Sequence, residues 1–367
     1  MRGRRVIPVA NPDIGEEELL NVIEAVKSGW ISSKGKFIKE FENKFASYLG
    51  AKYAISTSSG TAALHLALLA LGIGPGDEVL VPDLTFVSPA SMVKVVGAKP
   101  VLVDVSPDYW CIDPLKIKKK ISKRSKAIIV VHIYGHPAKM DEILEIAETH
   151  GLYVIEDCAE ALGAEFKGRK IGTFGHISCF SFYANKIITT GEGGMCVTND
   201  SELAEKIEIL KNHGMRPQKR YWHEVIGFNY RMTNLQAAIG IAQLNKISRL
   251  ITRKREIAKI YHEELESLPN IVLHPEMSWA KCVYWLYSIL LDSRKTRDRL
   301  AIYLKNHYVE TRNFFYPLHE MPPFKIEGDF AISKSLSERG INLPSGPKID
   351  DDDIVYICSL IKRFMKK

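Results

Sequence analysis

Between Glu16 and Ser28, apolar Leu19, Leu20, Ile23 and Val26 recur at helical spacing and stop at Gly29. After the loop WISSKGK, a second amphipathic helix is predicted from Phe37 to Leu49, closed by Gly50. From Tyr53 the rhythm changes to short, almost wholly apolar runs: Tyr53–Ser56, Glu78–Val81, Pro100–Val103, Ala127–Ile133, Tyr153–Ile155, Ile177–Phe182 and Met195–Val197. Helical patterns over Thr61–Leu71, Ser88–Val96, Met140–His150 and Ser201–Lys211, with loops, separate them. Strands apolar on both faces and alternating with helices predict an α/β protein with a mostly parallel seven-stranded sheet, covered on both sides. From about Asn245 the pattern becomes a long charged amphipathic helix, ISRLITRKREIAKIYHEELESL. It reads as a connector to a smaller C-terminal α+β domain holding WAKCVYWLYSILLD, TRNFFYPLHEMPPF and a final helix led by Asp350 to Asp353. The expected division is 1–245 for an N-terminal arm and large domain, and 246–367 for the connector and small domain.

Length changes this picture little: 367 residues are too many for one small core and fit two domains. No apolar run is long enough to cross a bilayer, and the basic start has no apolar segment after it that would make a signal peptide. Six cysteines at 111, 158, 179, 196, 282 and 358 form no CxxC pair. Reduced thiols in a cytoplasmic protein are expected, with no disulfide frame and no metal site. His132 and His136, in VHIYGHP, stand far in sequence from any clustered carboxylate or cysteine that would make a metal set. The net charge is +7, and its densest run, KIKKKISKRSK from Lys116, reads as a solvated helix-to-loop surface. With no aromatic platform or recognition motif beside it, neither nucleic acid nor membrane is an expected partner.

In open parallel sheets, ligands sit outside the carboxyl ends of the strands, so the residues after each apolar run are the ones to weigh. Lys186 lies between two buried runs in CFSFYANKIITTGEGGMCVTN. A lysine amine desolvated there would lose part of its charge and could attack a carbonyl, as the Schiff-base lysine of a pyridoxal-phosphate enzyme does. The plain alternative is a solvated loop lysine. After the first run, Ser59, Gly60 and Thr61 open a strongly helical stretch, which is either a phosphate cradle or an ordinary cap. Phe86 follows the second run and can stack on a flat ring or fill a core. Asp157 closes the fifth run, where a carboxylate is costly without a partner such as a pyridinium nitrogen. It can equally cap the next turn. A cradle, a ring, an acid and a lysine thus come in order along one sheet.

The chain resembles the DegT/DnrJ/EryC1/StrS family of pyridoxal-phosphate sugar aminotransferases, within the aspartate aminotransferase-like fold type I superfamily. The likeness covers nearly all of it, through GWISSKGKFIKEFENKFA, SSGTAALHLALLALGIGPGDEVLVPDLTF, VHIYGHPAKMDEI, VIEDCAEALGA, FSFYANKIITTGEGGMCVTND and GFNYRMTNLQAAIGIAQL. It is most similar to the branch that aminates C4 of GDP-4-keto-6-deoxy-mannose. The resemblance implies that Lys186 carries pyridoxal 5'-phosphate and later shuttles the proton. Asp157 would pair with the ring nitrogen, and Ser59, Gly60, Thr61 and Ser181 would hold the phosphate. Phe86 would stack on the ring and Glu160 would lie near its hydroxyl. Asn229 would reach the phosphate of the other subunit of a homodimer with shared active sites. Arg312 and His319 are candidates for the phosphate or sugar of the substrate, with a structural role open for each. Ala184 and Lys34 depart from the residues usual in relatives and bear on the sugar pocket.

The function these readings predict is transfer of an amino group, from glutamate, to a nucleotide-linked 4-keto-6-deoxy sugar. Amination at C3, or of a UDP- or dTDP-sugar, is the alternative within enzymes. A regulatory protein that retains the cofactor site is the alternative outside them.

Overall fold

The computed structural model describes residues 6–216 and 218–366; the start of the expected N-terminal arm, Pro217 and Lys367 lie outside the described residues. Two helices come first, α1 (Glu16–Lys27) and α2 (Lys36–Leu49). The alternating region follows: β1 (Tyr53–Thr57), α3 (Gly60–Ala70), β2 (Glu78–Pro82), α4 (Ser88–Val95), β3 (Lys99–Val103), α5 (Pro114–Lys120), β4 (Ser125–Val131), α6 (Met140–His150) and β5 (Tyr153–Asp157). A two-strand hairpin, β6 (Glu165–Phe166) and β7 (Arg169–Lys170), precedes β8 (Ile177–Ser181), β9 (Gly194–Thr198) and α7 (Ser201–Lys211). Then come α8 (Asn234–Asn245), α9 (Ile247–Leu265), β10 (Val272–Leu273), β11 (Ala280–Lys281), β12 (Tyr287–Leu290) and α10 (Arg294–Asn306). The chain finishes with β13 (Arg312–Asn313), α11 (Ala331–Arg339), β14 (Gly340–Leu343) and α12 (Asp351–Met365).

Seven strands form the large sheet in the order β1-β9-β8-β5-β4-β2-β3, and β9 alone runs against the others. Its faces bury two cores: Ile128 and Val130 of β4 point into one, Ala127, Ile129 and Val131 into the other. That is the both-sides burial the unbroken apolar runs predicted. A third core lies beneath an antiparallel sheet of order β10-β12-β14-β13, against α9, α10 and α12. The short strand β11 pairs with β6, so the second half of the chain also adds an edge to the small hairpin sheet.

The chain departs from the sequence pattern where apolar rhythm misleads. The run read through Ile133 stops as a strand at Val131, because a turn follows with Tyr134 at φ 51° and Gly135 at φ 100°. A Cβ on Gly135 would lie 2.7 Å from the backbone nitrogens of Tyr284 and Trp285, so only glycine lets this turn meet the segment before β12. On α1 the face packed on α8 is Glu18, Asn21 and Ala25, while Leu19, Leu20, Ile23 and Val26 are exposed. Among the described residues no helix is long and apolar enough to cross a membrane, and all six cysteines are free and buried.

Candidate active site

Lys186 is placed by what surrounds its loop. Phe45 of α2 packs on Phe180 and Phe182, with ring centroids at 5.1 Å and 5.4 Å, and Phe41 lies 5.3 Å from Phe182. This cluster fixes the end of β8. The chain then turns back to β9 through hydrogen bonds from Phe182 N–H to Gly193 O, Thr190 N–H to Phe182 O and Lys186 N–H to Tyr183 O, each 2.9 Å. Gly191, at φ 82°, gives the reversal the left-handed residue it needs. The side chain of Lys186 is 13% exposed, its amine 3.9 Å from Glu160 Oε1 and 3.8 Å from the centroid of the Trp285 ring.

Asp157 stands at the carboxyl end of β5, paired in register with Val131 on β4 and Cys179 on β8. Its Oδ1 accepts the N–H of Ala159 at 3.0 Å. Burial raises its pKa above the ordinary carboxylate value, against the pull of that N–H and of the Lys186 charge. Glu160 accepts the N–H of Tyr134 at 2.8 Å; burial pushes its pKa up to about 7, although Lys186 opposes the shift. Burial likewise lowers the pKa of Lys186, while Glu160 and Asp157 resist that change. An amine and two carboxyls thus share a poorly hydrated space, where burial works against the charge of each.

A cavity of about 460 Å³ opens over these groups. Ser59, Gly60, Thr61, Phe86, Asp157, Glu160, Ser181, Lys186 and Arg312, all singled out in the sequence, line it. Tyr183, Asn185, Trp285, Phe315 and Ser88 line it too, and sequence reasoning missed them. Asn185 had a signal, adjacency to Lys186. Trp285 and Phe315 come from stretches that the sequence assigns only to the smaller C-terminal domain. At the far end, Ser59 caps α3 by accepting the N–H of Ala62 at 3.1 Å. A Cβ on Gly60 would sit 2.8 Å from Ser181 Cβ, so α3 begins directly against β8. The first N–H groups of a helix have no carbonyl one turn back, which leaves donors for an anion there.

Two predicted residues are elsewhere. His319 accompanies Asp83, with its Nδ1 2.7 Å from Oδ2 and its N–H donating to Oδ1 at 2.8 Å, and its ring stacks on Phe330. It braces the 318–324 segment against the end of β2 and is not part of the cavity lining. Asn229 is exposed, and its Oδ1 accepts from Arg231. The sequence isolation of His132 does not hold in space. It meets Glu156 and Cys158, with potential ligand atoms within 4.8 Å of one another. The lone pairs of Glu156 and His132 are already engaged: Glu156 accepts from Gly172, Phe174 and Gly175 N–H, Ser178 Oγ and His132 Nε2, and His132 Nδ1 accepts from Ala138 N–H.

The lining fits a flat phosphorylated aldehyde. Phe86 is 54% exposed, an apolar ring left uncovered at the cavity wall. Asn185 leaves a buried Oδ1 without a hydrogen-bond partner beside the lysine. A buried acid, an open helix start and a nucleophilic amine complete the donor set. Fold and site together define the aspartate aminotransferase-like, fold type I class. The chain belongs to the DegT/DnrJ/EryC1/StrS aminotransferase family, which it matches over residues 12–362. It is 47% identical to GDP-perosamine synthase of Escherichia coli O157:H7 over 361 residues, 98% of this chain and 99% of that protein. Identity to GDP-perosamine synthase of Vibrio cholerae is 45% over 364 residues, again 98% and 99%. Among solved structures, the PLP-form of Spr1654 from Streptococcus pneumoniae has a TM-score of 0.94 at 27% identity, covering 98% of this chain and 99% of that one.

Proposed function

We propose that this protein is a pyridoxal-phosphate-dependent aminotransferase that moves an amino group from glutamate to a GDP-linked 4-keto-6-deoxy sugar. The observation that carries the reading is the Lys186 amine, buried at the sheet's carboxyl edge between Glu160 and Trp285 in a cavity that also holds Asp157. The GDP-sugar part draws its support from the two perosamine synthases, similar over nearly the whole chain.

Lys186 would hold the cofactor covalently, and the α3 start with Ser181 would hold its phosphate. When bound, the cofactor supplies an electron sink that stabilises negative charge on the substrate carbon. Asp157 would keep the ring nitrogen protonated, and its raised pKa marks a carboxylate in want of a cation. Lys186 Nζ, whose pKa burial lowers, would take the proton from one carbon and return it to the other. Arg312, exposed on β13 and lining the same cavity, would meet an anionic group of the substrate.

We further infer a cytoplasmic homodimer, with a large domain to about residue 245 and a smaller one beyond it. The exposed apolar stripe of α1 and the exposed loop residues Tyr221, Trp222, Val225 and Ile226 suit burial against a second copy. Asn229 would then reach the partner's phosphate.

Borohydride reduction followed by peptide mapping should place a pyridoxyl group on Lys186. Incubation with glutamate and a panel of nucleotide-linked keto sugars should then aminate the GDP-sugar. Label on another lysine would overturn the site. Cofactor on Lys186 with no amination of any nucleotide sugar would favour a binding or regulatory protein.

A further inference from the structure

Trp285 sits two residues before β12, in the C-terminal part of the chain, yet its ring faces the lysine of the large sheet. We propose that Trp285 is a positioning residue: its indole face and the Glu160 carboxylate form a seat for the Lys186 ammonium whenever that amine is not bonded to the cofactor. This rests on Lys186 being the cofactor-bearing lysine.

The indole is held on several sides. Its Nε1–H donates to the carbonyl of Asn185 at 2.7 Å, so the ring edge grips the peptide immediately before Lys186 while the ring face receives the amine. The Trp285 carbonyl accepts from Lys254 Nζ at 2.7 Å, and Lys254 also donates to the Ser345 carbonyl at 2.6 Å. Tyr134 lies nearly parallel to the indole, with centroids 6.3 Å apart and planes at 14°. The Tyr134–Gly135 turn also meets the backbone of Trp285, and Gly135 O accepts the N–H of Val283 at 3.1 Å. Trp285 is only 4% exposed. A ring fixed at edge, backbone and face has little freedom to leave the amine.

The chemistry calls for such a seat. A free lysine side chain has four rotatable bonds and would swing away from the carbon whose proton it handles. Glu160 alone is a weak clamp: it stands 3.9 Å off, and its pKa, pushed up by burial to about 7, leaves it partly uncharged near neutrality. Asp157, lining the same cavity, adds to the attraction, but Arg312 on β13 repels an ammonium at Lys186. An aromatic face attracts the cation without titrating itself. It also leaves the amine unblocked by any hydrogen-bond acceptor when the proton is gone.

The test reads Lys186 directly. The full chain, freed of cofactor, is labelled with acetic anhydride across a pH series, and modification of Lys186 is followed by peptide mass spectrometry. Trp285→Leu should lower the pKa of Lys186 by about one pH unit, and Trp285→Phe by less. Biosynthetic replacement of tryptophan by mono-, di- and trifluorotryptophan should lower it stepwise, because fluorine drains the ring face while keeping its shape. A merely structural tryptophan would not produce that gradation. An unchanged or raised pKa in folded Trp285→Leu, or no trend across the fluorinated series, overturns the proposal. If the leucine variant does not fold, the fluorinated series decides. Borohydride mapping of cofactor-loaded samples of each protein separates the two ideas. Pyridoxyl on Lys186 with a flat titration removes the seat alone, whereas pyridoxyl elsewhere removes the reading beneath it.

Discussion

Glu156 offers a sharp test of how the site is braced. It is fully buried beside Asp157 and accepts five hydrogen bonds. Oε1 takes the N–H groups of Phe174 (2.8 Å) and Gly175 (2.7 Å) and Ser178 Oγ (3.0 Å). Oε2 takes Gly172 N–H at 2.8 Å and lies 3.3 Å from His132 Nε2. Because Ala138 N–H occupies His132 Nδ1, the imidazole hydrogen is on Nε2. In Glu156→Gln the amide nitrogen does least harm at the Oε2 position, where it faces two donors with a third. Two hydrogen bonds to a charged acceptor are lost, at about 1.5–3 kcal/mol each, so the expected destabilisation is about 3–6 kcal/mol. That is a large part of the roughly 5–15 kcal/mol that holds a typical domain. Guanidinium unfolding should show a lower midpoint with an unchanged slope. The sign of the pH effect follows as well. Burial alone would raise the Glu156 pKa, but His132 and the loop N–H groups outweigh it and hold the value below normal. Its stabilisation is therefore present above the unfolded carboxylate pKa and is lost as pH falls through the folded one. The glutamine variant should lack that acid-side loss. A measured cost below about 1 kcal/mol would refute the five-donor reading.

Asp157→Asn should cut transamination by at least about 100-fold with cofactor still bound, measured by single-turnover kinetics; a rate near wild type would sink the electron-sink role. Glu160 has a raised pKa, so its contribution to stability is present below the unfolded carboxylate value and fades as pH rises through about 7. Melting temperatures of the cofactor-free protein should therefore be less pH-dependent between about pH 4.5 and 7 in Glu160→Gln. Inactive Lys186→Ala and Asn229→Asp variants, mixed under subunit exchange, should regain part of the activity. No recovery, with exchange confirmed by native mass spectrometry, would remove the shared site.

The large sheet was legible because its strands are five to seven residues of nearly unbroken apolar side chains. The smaller sheets were not: β10, β11 and β13 have two residues each, too few for any period to register. The sequence drew attention to Lys186, Asp157 and the 59–61 turn through polar residues in apolar surroundings. It had no comparable way to reach Trp285, whose type suits a core as well as a cavity wall. His319 shows the opposite case, a polar residue whose partner, Asp83, lies 236 positions away and turns it into a brace. Glu156 had no signal of its own beside Asp157, because its five donors come from loops and strands that only the fold collects.

The antiparallel strand β9 has a further consequence, for the order in which the molecule comes together. It pairs β1 with a partner far down the chain, Tyr53 with Thr198, and among the described residues β1 has no other neighbour in the sheet. During synthesis, β1 and the turn at 59–61 must wait until residue 198 has emerged before they are locked beside Ser181. Pairing over so long a separation is slow, since the loop must be closed before the contact returns any stability. The 59–61 end of the cavity is thus among the last parts of the large sheet to form. A nascent chain ending before β9 would carry Lys186 but would leave the turn at 59–61 without the strand that fixes β1 in place.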